Sequence, residues 1–383
     1  MVRAAALIVL LVLAASGALE AEVQPSVTLA AYGAVVRAED SAAIVSLLKG
    51  SLDLSSAGNQ NVRGFLQLDT WVGESFTVAL PRAYVKIRLP WFRLTVGKTR
   101  VSWGDGFVFN AGDVIFGSMS PLAGGLSESV LRDETAWLTA VYVPLGPFSY
   151  LEGVLLPYSP EVSGGSLLGP AAAGGLTTDL TTLASPLSPQ KLAGGARGVF
   201  RLGSVKVETG YFGSGRDDEH RPYVSLQGHL GVDWNLSAAA NIPTVGPAWD
   251  HWNEWVDLSA GVFTLRNLPG GRVFSARLEA AIRPGMRWKE ERGLGAGDPP
   301  PEYGLYLFPE VSYSPSDTLS LQARALISPI DASALSLAGA SWNVYQGLSL
   351  FSYLSLMGGD PDDSYAWERD NAVAWILGLE FVY

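Results

Sequence analysis

The sequence has no cysteine in its 383 residues, which excludes disulfide staples and every metal or redox centre built on thiolates. Histidine is almost as scarce. His220 and His251 fall in expected outer loops and His229 on a strand, and no zinc-ligand spacing links them. Beyond the N-terminus no apolar run approaches the roughly 20 residues that a helical membrane span needs. Charged residues make up only 16% of the chain, and their net charge of −11 argues against a nucleic-acid partner. No phosphate-binding glycine loop is present.

What the chain does have is apolar and aromatic content without long apolar stretches. Hydrophobic residues reach 48%, with 12 Trp, 14 Tyr, 14 Phe and 43 Gly, a composition that suits strands, tight turns and interfacial aromatic belts better than helical bundles. Residues 1–21 read as an export signal: Arg3 supplies the positive start, Ala4 to Ala15 the short apolar core, and cleavage is expected after Ala18 or Ala21. The remainder, 22–383, is expected to be one domain, with 22–43 left open as a first strand, a periplasmic arm or a plug.

Segments of about ten residues alternate apolar with polar or small residues, the period of a strand with two unlike faces. In Arg82 to Leu89 one face carries Ala83, Val85, Ile87 and Leu89, the other Arg82, Tyr84, Lys86 and Arg88; Val273 to Arg283 and Leu319 to Ile327 repeat the scheme. Eighteen such segments can be placed, the fourth beginning at Arg82. The first pair, Val27 to Leu54, alternates least clearly, so the count is 16–18 with 18 favoured. Short links (Ala57 to Gln60, Leu89 to Trp91, Pro144 to Gly146, Gly203, Gly231, Ser314 to Ser316, Gln346) take turns with long ones, notably Arg100 to Asp133 and Pro157 to Ala193. That rhythm predicts an all-β, transmembrane, antiparallel up-and-down β-barrel with short periplasmic turns and long extracellular loops.

The last strand ends in Gly378, Phe381 and Tyr383, which resembles the C-terminal assembly signal of bacterial outer-membrane proteins, although Ile376 stands where that signal has a polar residue. The resemblance implies the barrel-assembly machinery as a partner. A second one covers Val96 to Phe116, where Gly97, Lys98, Arg100, Ser102, Trp103, Gly104, Phe109, Asn110 and Asp113 form a pattern similar to a segment of porin-like outer-membrane barrels of spirochaetes and other diderms. Ala111 replaces the expected proline and Gly112 intervenes before Asp113. The implied setting is the bacterial outer membrane, among lipid and lipopolysaccharide.

In lipid the strands must close on themselves, apolar faces outward. By parity the lumen wall then carries Arg63, Arg82, Lys86, Arg88, Arg93, Arg197, Arg201, Lys206, Arg277, Glu279, Arg283 and Arg324, with Asp53, Asp69, Glu152, Glu208, Asp233, Asp257 and Glu380 as its other acids. The expected function is a porin-like channel for passive diffusion of small hydrophilic solutes, with a weak anion preference and one of the two long loops as a constriction, the first of them bearing the motif Trp103, Gly104, Asn110 and Asp113. An uptake channel for hydrophobic compounds, and an adhesin or structural barrel, stay open beside it. No enzyme, cofactor or metal is expected: Asp250 beside His251, with Asp217 and Asp218, lacks a fuller catalytic set, and Asp360, Asp362, Asp363, Glu368 and Asp370 miss the calcium-loop spacing. Oligomeric state is left open.

Overall fold

The computed structural model describes residues 23–38, 41–56, 61–73, 76–116, 134–157, 161–162, 192–215, 218–244, 249–290, 301–360, 362–365 and 372–383. The expected signal, residues 117–133, most of 157–193, Asp217, Glu368 and Asp370 lie outside them. The strands are β1 (Val23–Ala38), β2 (Ser41–Ser56), β3 (Val62–Val72), β4 (Phe76–Arg88), β5 (Arg93–Thr99), β6 (Glu134–Pro144), β7 (Tyr150–Leu156), β8 (Glu161–Val162), β9 (Ala193–Leu202) and β10 (Val205–Ser214). They continue with β11 (Glu219–His229), β12 (Asp233–Ala240), β13 (Ile242–Pro243), β14 (Val256–Leu268), β15 (Arg272–Ile282), β16 (Leu305–Ser314), β17 (Leu319–Ser328), β18 (Ser333–Tyr345), β19 (Leu348–Gly358) and β20 (Val373–Val382). The two-residue β8 and β13 only extend neighbouring hairpins. The other eighteen pair antiparallel in chain order, and β20 returns to β1 from Thr28↔Val382 to Arg37↔Val373, so the sheet is a closed barrel without a free edge.

The closure decides the open count. β1 pairs with β2 over sixteen positions and with β20 over ten, so the N-terminal segment is wall and not an arm or plug. The seam is fastened by reciprocal bonds, Val27 N–H to the Tyr383 carbonyl and Tyr383 N–H to the Val27 carbonyl, both 2.9 Å.

The two faces are chemically opposite. Along β20, Ala374 and Ile376 are buried while Trp375, Leu377, Leu379 and Phe381 stand exposed on the outside. Leu29, Val85, Val96, Leu236, Val262, Leu278 and Leu321 continue this apolar exterior around the wall. Such a surface is stable only against lipid. At the end where the chain terminates, Trp91, Phe148, Tyr345 and Tyr383 are exposed in or beside the links, and Trp252 and Trp288 mark the other end, the positions of interfacial girdles.

Links at the terminus end never exceed five residues. The far end carries the long loops, but β1 and β2, β3 and β4, β10 and β11, and β17 and β18 are each separated there by no more than four residues, so its rhythm is less regular than the sequence suggests. β4 begins at Phe76, earlier than Arg82. Gln67 faces Arg82 and Asp69 faces Ala79, so β4 holds one extra residue around Leu80 and Pro81, and that bulge throws Phe76 to Ala79 out of phase with the alternation that follows. His220, expected in a loop, lies within β11, its ring against Tyr211.

Candidate channel lumen and its constriction

After β5 the chain turns into the barrel. Just before that, within β5, Gly97 has φ +131°, and a Cβ there would lie 2.1 Å from the Ala83 carbonyl oxygen of β4, so only glycine lets the two strands meet at this point. Residues 100–116 then cross the interior as a strap packed against one side of the wall. Trp103 and Phe109 are fully buried, and two apolar clusters form around the strap: Trp103, Val114 and Ile115 with Leu138, Leu156, Phe212 and Tyr223, and Val108 and Phe109 with Tyr303, Tyr306, Phe308 and Leu326.

Polar groups of the wall hold the strap by its backbone. Glu279, on β15, accepts three consecutive amides: Phe107 N–H to Oε1 at 2.8 Å, and Val108 and Phe109 N–H to Oε2 at 2.7 and 2.9 Å. Glu208, on β10, accepts Gly104 N–H at 2.7 Å and the Tyr223 hydroxyl at 2.6 Å. Ala111 N–H donates to Ser259 Oγ (2.9 Å), and Arg221 donates to the Val114 carbonyl (3.2 Å). Asp105 is held by Lys206 and by the Ser225 hydroxyl. A strap inside a barrel cannot pair its amides with a neighbouring strand, so these carboxylates and hydroxyls replace the missing ladder.

The four residues singled out in the strap form one unit. Asn110 Nδ2 donates to the Trp103 carbonyl (2.7 Å) and its Oδ1 accepts Gly112 N–H (3.1 Å). Gly104 has φ +71°, and a Cβ there would sit 2.3 Å from that Oδ1. Asp113 pairs with Arg100 at 3.2 Å. Trp103 stacks on Tyr223 at 5.8 Å and donates from Nε1 to Glu152 Oε2 at 3.1 Å.

The basic residues assigned to the wall separate into two groups. On the strap side every one meets an acid or sits beside one. Arg197 Nη2 lies 2.7 Å from Glu152 and Nη1 2.9 Å from Glu208. Lys206 joins Asp105, Arg283 joins Asp257 (3.3 Å) and Glu302 (3.0 Å), and Arg277 lies 3.8 Å from Glu310 and over the Phe107 ring. Arg324, buried, faces Glu310 across β16 and β17.

On β3 to β5 the picture differs. Arg63, Lys86, Arg88 and Arg93 share one face and, with Asn61, Thr95, Tyr142 and Glu152, line a recess of about 340 Å³ at the short-link end. Arg82 continues the row deeper in the wall, and Arg201 lies over Phe148, 5.2 Å from its ring centre. Among the described residues no carboxylate comes within ion-pair distance of any of these six. Arg93 lies over the Tyr142 ring at 5.1 Å, and Lys86 over Tyr84 at 4.9 Å.

Sequence parity alone did not identify Tyr142, Ser225, Ser259 or Tyr223 as part of this interior, since neutral residues on an inward face give no charge signal. In β20, Gly378 faces inward beneath the Phe351 ring, where a Cβ would be 2.2 Å from Cζ, while Phe381 and Tyr383 face outward at the short-link end.

No protein-family model and no curated protein matches the sequence. The fold does have solved counterparts. It is similar to OccAB4 of Acinetobacter baumannii (TM-score 0.56, 11% identity, 94% of this chain and 98% of that one), and to the outer membrane protein OprD of Pseudomonas aeruginosa (TM-score 0.52, 12% identity, 95% of each chain). A third is Pseudomonas aeruginosa OpdK, solved with vanillate (TM-score 0.57, 10% identity, 94% and 98%). The chain therefore has the fold of a porin-type outer-membrane barrel, with eighteen strands. These neighbours come from Pseudomonas and Acinetobacter, so the resemblance at Val96 to Phe116 carries over as porin-like without its spirochaetal part.

Proposed function

We propose that this chain is a bacterial outer-membrane channel for passive diffusion of small hydrophilic anions, constricted by the strap over residues 100–116. The observation that carries the anion preference is the row of Arg63, Arg82, Lys86, Arg88 and Arg93, which face the lumen with no described acid in ion-pair reach, while the strap-side cations are neutralised in place. Cations pooled in a low-dielectric passage raise the local concentration of anions and lower their barrier to crossing. A carboxylate such as the vanillate held by OpdK is the type of solute this row would pass.

The reading has no catalytic role for any residue. It places Gly378, Phe381 and Tyr383 as the signal read by the barrel-assembly machinery, and the apolar belt against outer-membrane lipid and lipopolysaccharide. Purified barrel in planar bilayers under a potassium chloride gradient tests it. Steady openings with an anion-selective reversal potential are expected; cation selectivity, or a folded barrel that stays silent, overturns it.

A further inference from the structure

We propose that the recess at the short-link mouth is a binding site for a small multivalent oxyanion, one carrying two or more negative charges such as a diphosphate or a tricarboxylate. This rests on the channel reading and sharpens it: the row as a whole favours anions, and this recess selects among them by charge.

The register makes the case. Arg63 stands directly opposite Lys86 across β3 and β4, and Arg88 directly opposite Arg93 across β4 and β5. Directly opposed partners have Cα atoms about 4.5–5.5 Å apart, and like charges placed so are destabilising, by roughly 0.2–1 kcal/mol per pair. Lys86 and Arg88 are two residues apart on one strand face, so four cations occupy adjoining positions of one wall. Neither pair is relieved by a described acid. Glu152, the one carboxylate at the recess, has its Oε2 engaged by Arg197 and by Trp103.

A monocarboxylate has two oxygens and satisfies one guanidinium in a fork-to-fork contact. It would leave the remaining cations facing each other. An anion with charges on two or three oxyanion groups contacts both opposed pairs at once and removes the repulsion in each. The volume, at the lower end for small-molecule sites, suits a compact ligand. Asn61, Thr95 and Tyr142 add neutral hydrogen-bonding groups around it. The position matters too: the four cations stand at the short-link mouth, and the recess meets the strap only through Glu152, which accepts from Trp103 Nε1, so an anion held there sits at the mouth side of the constriction.

The test is block of the chloride current by pyrophosphate, citrate and acetate at matched ionic strength, added to one side of the bilayer at a time. Pyrophosphate and citrate are expected to block from the short-link side at concentrations at least about tenfold below acetate, the two sides being distinguished by a protease site inserted in an outer loop. Lys86→Gln and Arg88→Gln are expected to weaken that block about tenfold each, while the thermal midpoint stays level or rises because a like-charged pair is relieved. Equal block by acetate and pyrophosphate, or block unchanged in both variants, overturns the site and leaves the anion channel standing. Should the barrel fold but not conduct, calorimetric titration of the detergent-folded protein with pyrophosphate still decides: binding lost in Lys86→Gln supports the site, and absence of binding overturns it.

Discussion

The two sides of the lumen use the same residue types for opposite purposes. On the strap side, Arg197 lies within hydrogen-bonding distance of Glu152, Glu208 and the Ser102 carbonyl, and Lys206 and Arg283 have acids of their own. On β3 to β5, Lys86 and Arg93 lie over aromatic rings, and Arg63 and Arg88 face them across the strands. Buried charges without partners are expensive, so the first group is fixed structure. The second group borders an open recess where solvation can replace a partner, and its charge stays available to a solute. A sum of charges over the wall would average these two sides and miss both.

The contrast breaks most directly by deleting one arginine from each side. Arg197→Met leaves Glu152 without its cation and Glu208 with only the more distant Lys206, 3.5 Å away, and a loss of about 3–5 kcal/mol is expected. Arg88→Met removes a charge that has no described acid beside it and is expected to leave stability unchanged or slightly improved. Urea unfolding of the two variants in the same liposomes measures both. Equal destabilisation would mean that the two sides are not distinct.

Next in size is the strap itself. Glu279→Gln replaces a carboxylate that accepts three amides by a group with one acceptor oxygen, leaving at least one buried N–H unmet at a cost of about 1–3 kcal/mol. The strap is expected to loosen, giving larger and noisier single-channel openings. Unchanged conductance would place the anchor elsewhere, in Glu208 or Ser259.

Much of this was legible in advance because a barrel wall writes its two faces into a period of two. The eighteen strands follow from alternation, and the same alternation is what assigns Arg63 to Arg324 and the inward acids to a lumen wall. Where the alternation failed there was a local cause. The bulge at Leu80 and Pro81 hid the first residues of β4, and the small side chains of Ala30, Ala31 and Ala43 blurred a hairpin that is in fact the barrel seam. The division of the cations into paired and unpaired was not legible. It depends on which wall the strap lies against, and that is set by contacts more than 100 residues apart, such as Gly104 to Glu208 and Phe107 to Glu279.

A smaller effect is expected on selectivity. Arg88→Glu reverses a charge that no described acid offsets and should move the reversal potential toward cations by more than Arg277→Gln, whose charge already sits near Glu310. If Arg277→Gln shifts it as much, the paired side also contributes to permeation and the division is one of stability alone.

The smallest expected effect lies outside the wall, where two loop acids at the far end answer to pH in opposite senses. Burial works against the charge of Asp331, but hydrogen bonds from Ser333 N–H and Oγ and from Ser364 N–H hold its carboxyl below the usual range. Its stabilisation is therefore complete above the unfolded value, near 4, and is lost as pH falls through the lower folded one. Asp363 is shifted the other way, raised by burial and by the charges of Asp331 and Asp360. Stability therefore rises as pH falls through its folded value. Acidification should first firm the contact between 329–332 and 360–365 slightly and then release it, a shallow maximum in the thermal midpoint on the acid side of neutrality. Asp331→Asn should abolish the fall and leave a smaller rise, because Asp363 is still raised by burial and by Asp360 after the Asp331 charge is gone, while the clamp through Ser333 and Ser364 no longer depends on a carboxylate; a fall that persists in that variant would locate the acid-sensitive contact in the paired charges of the lumen instead.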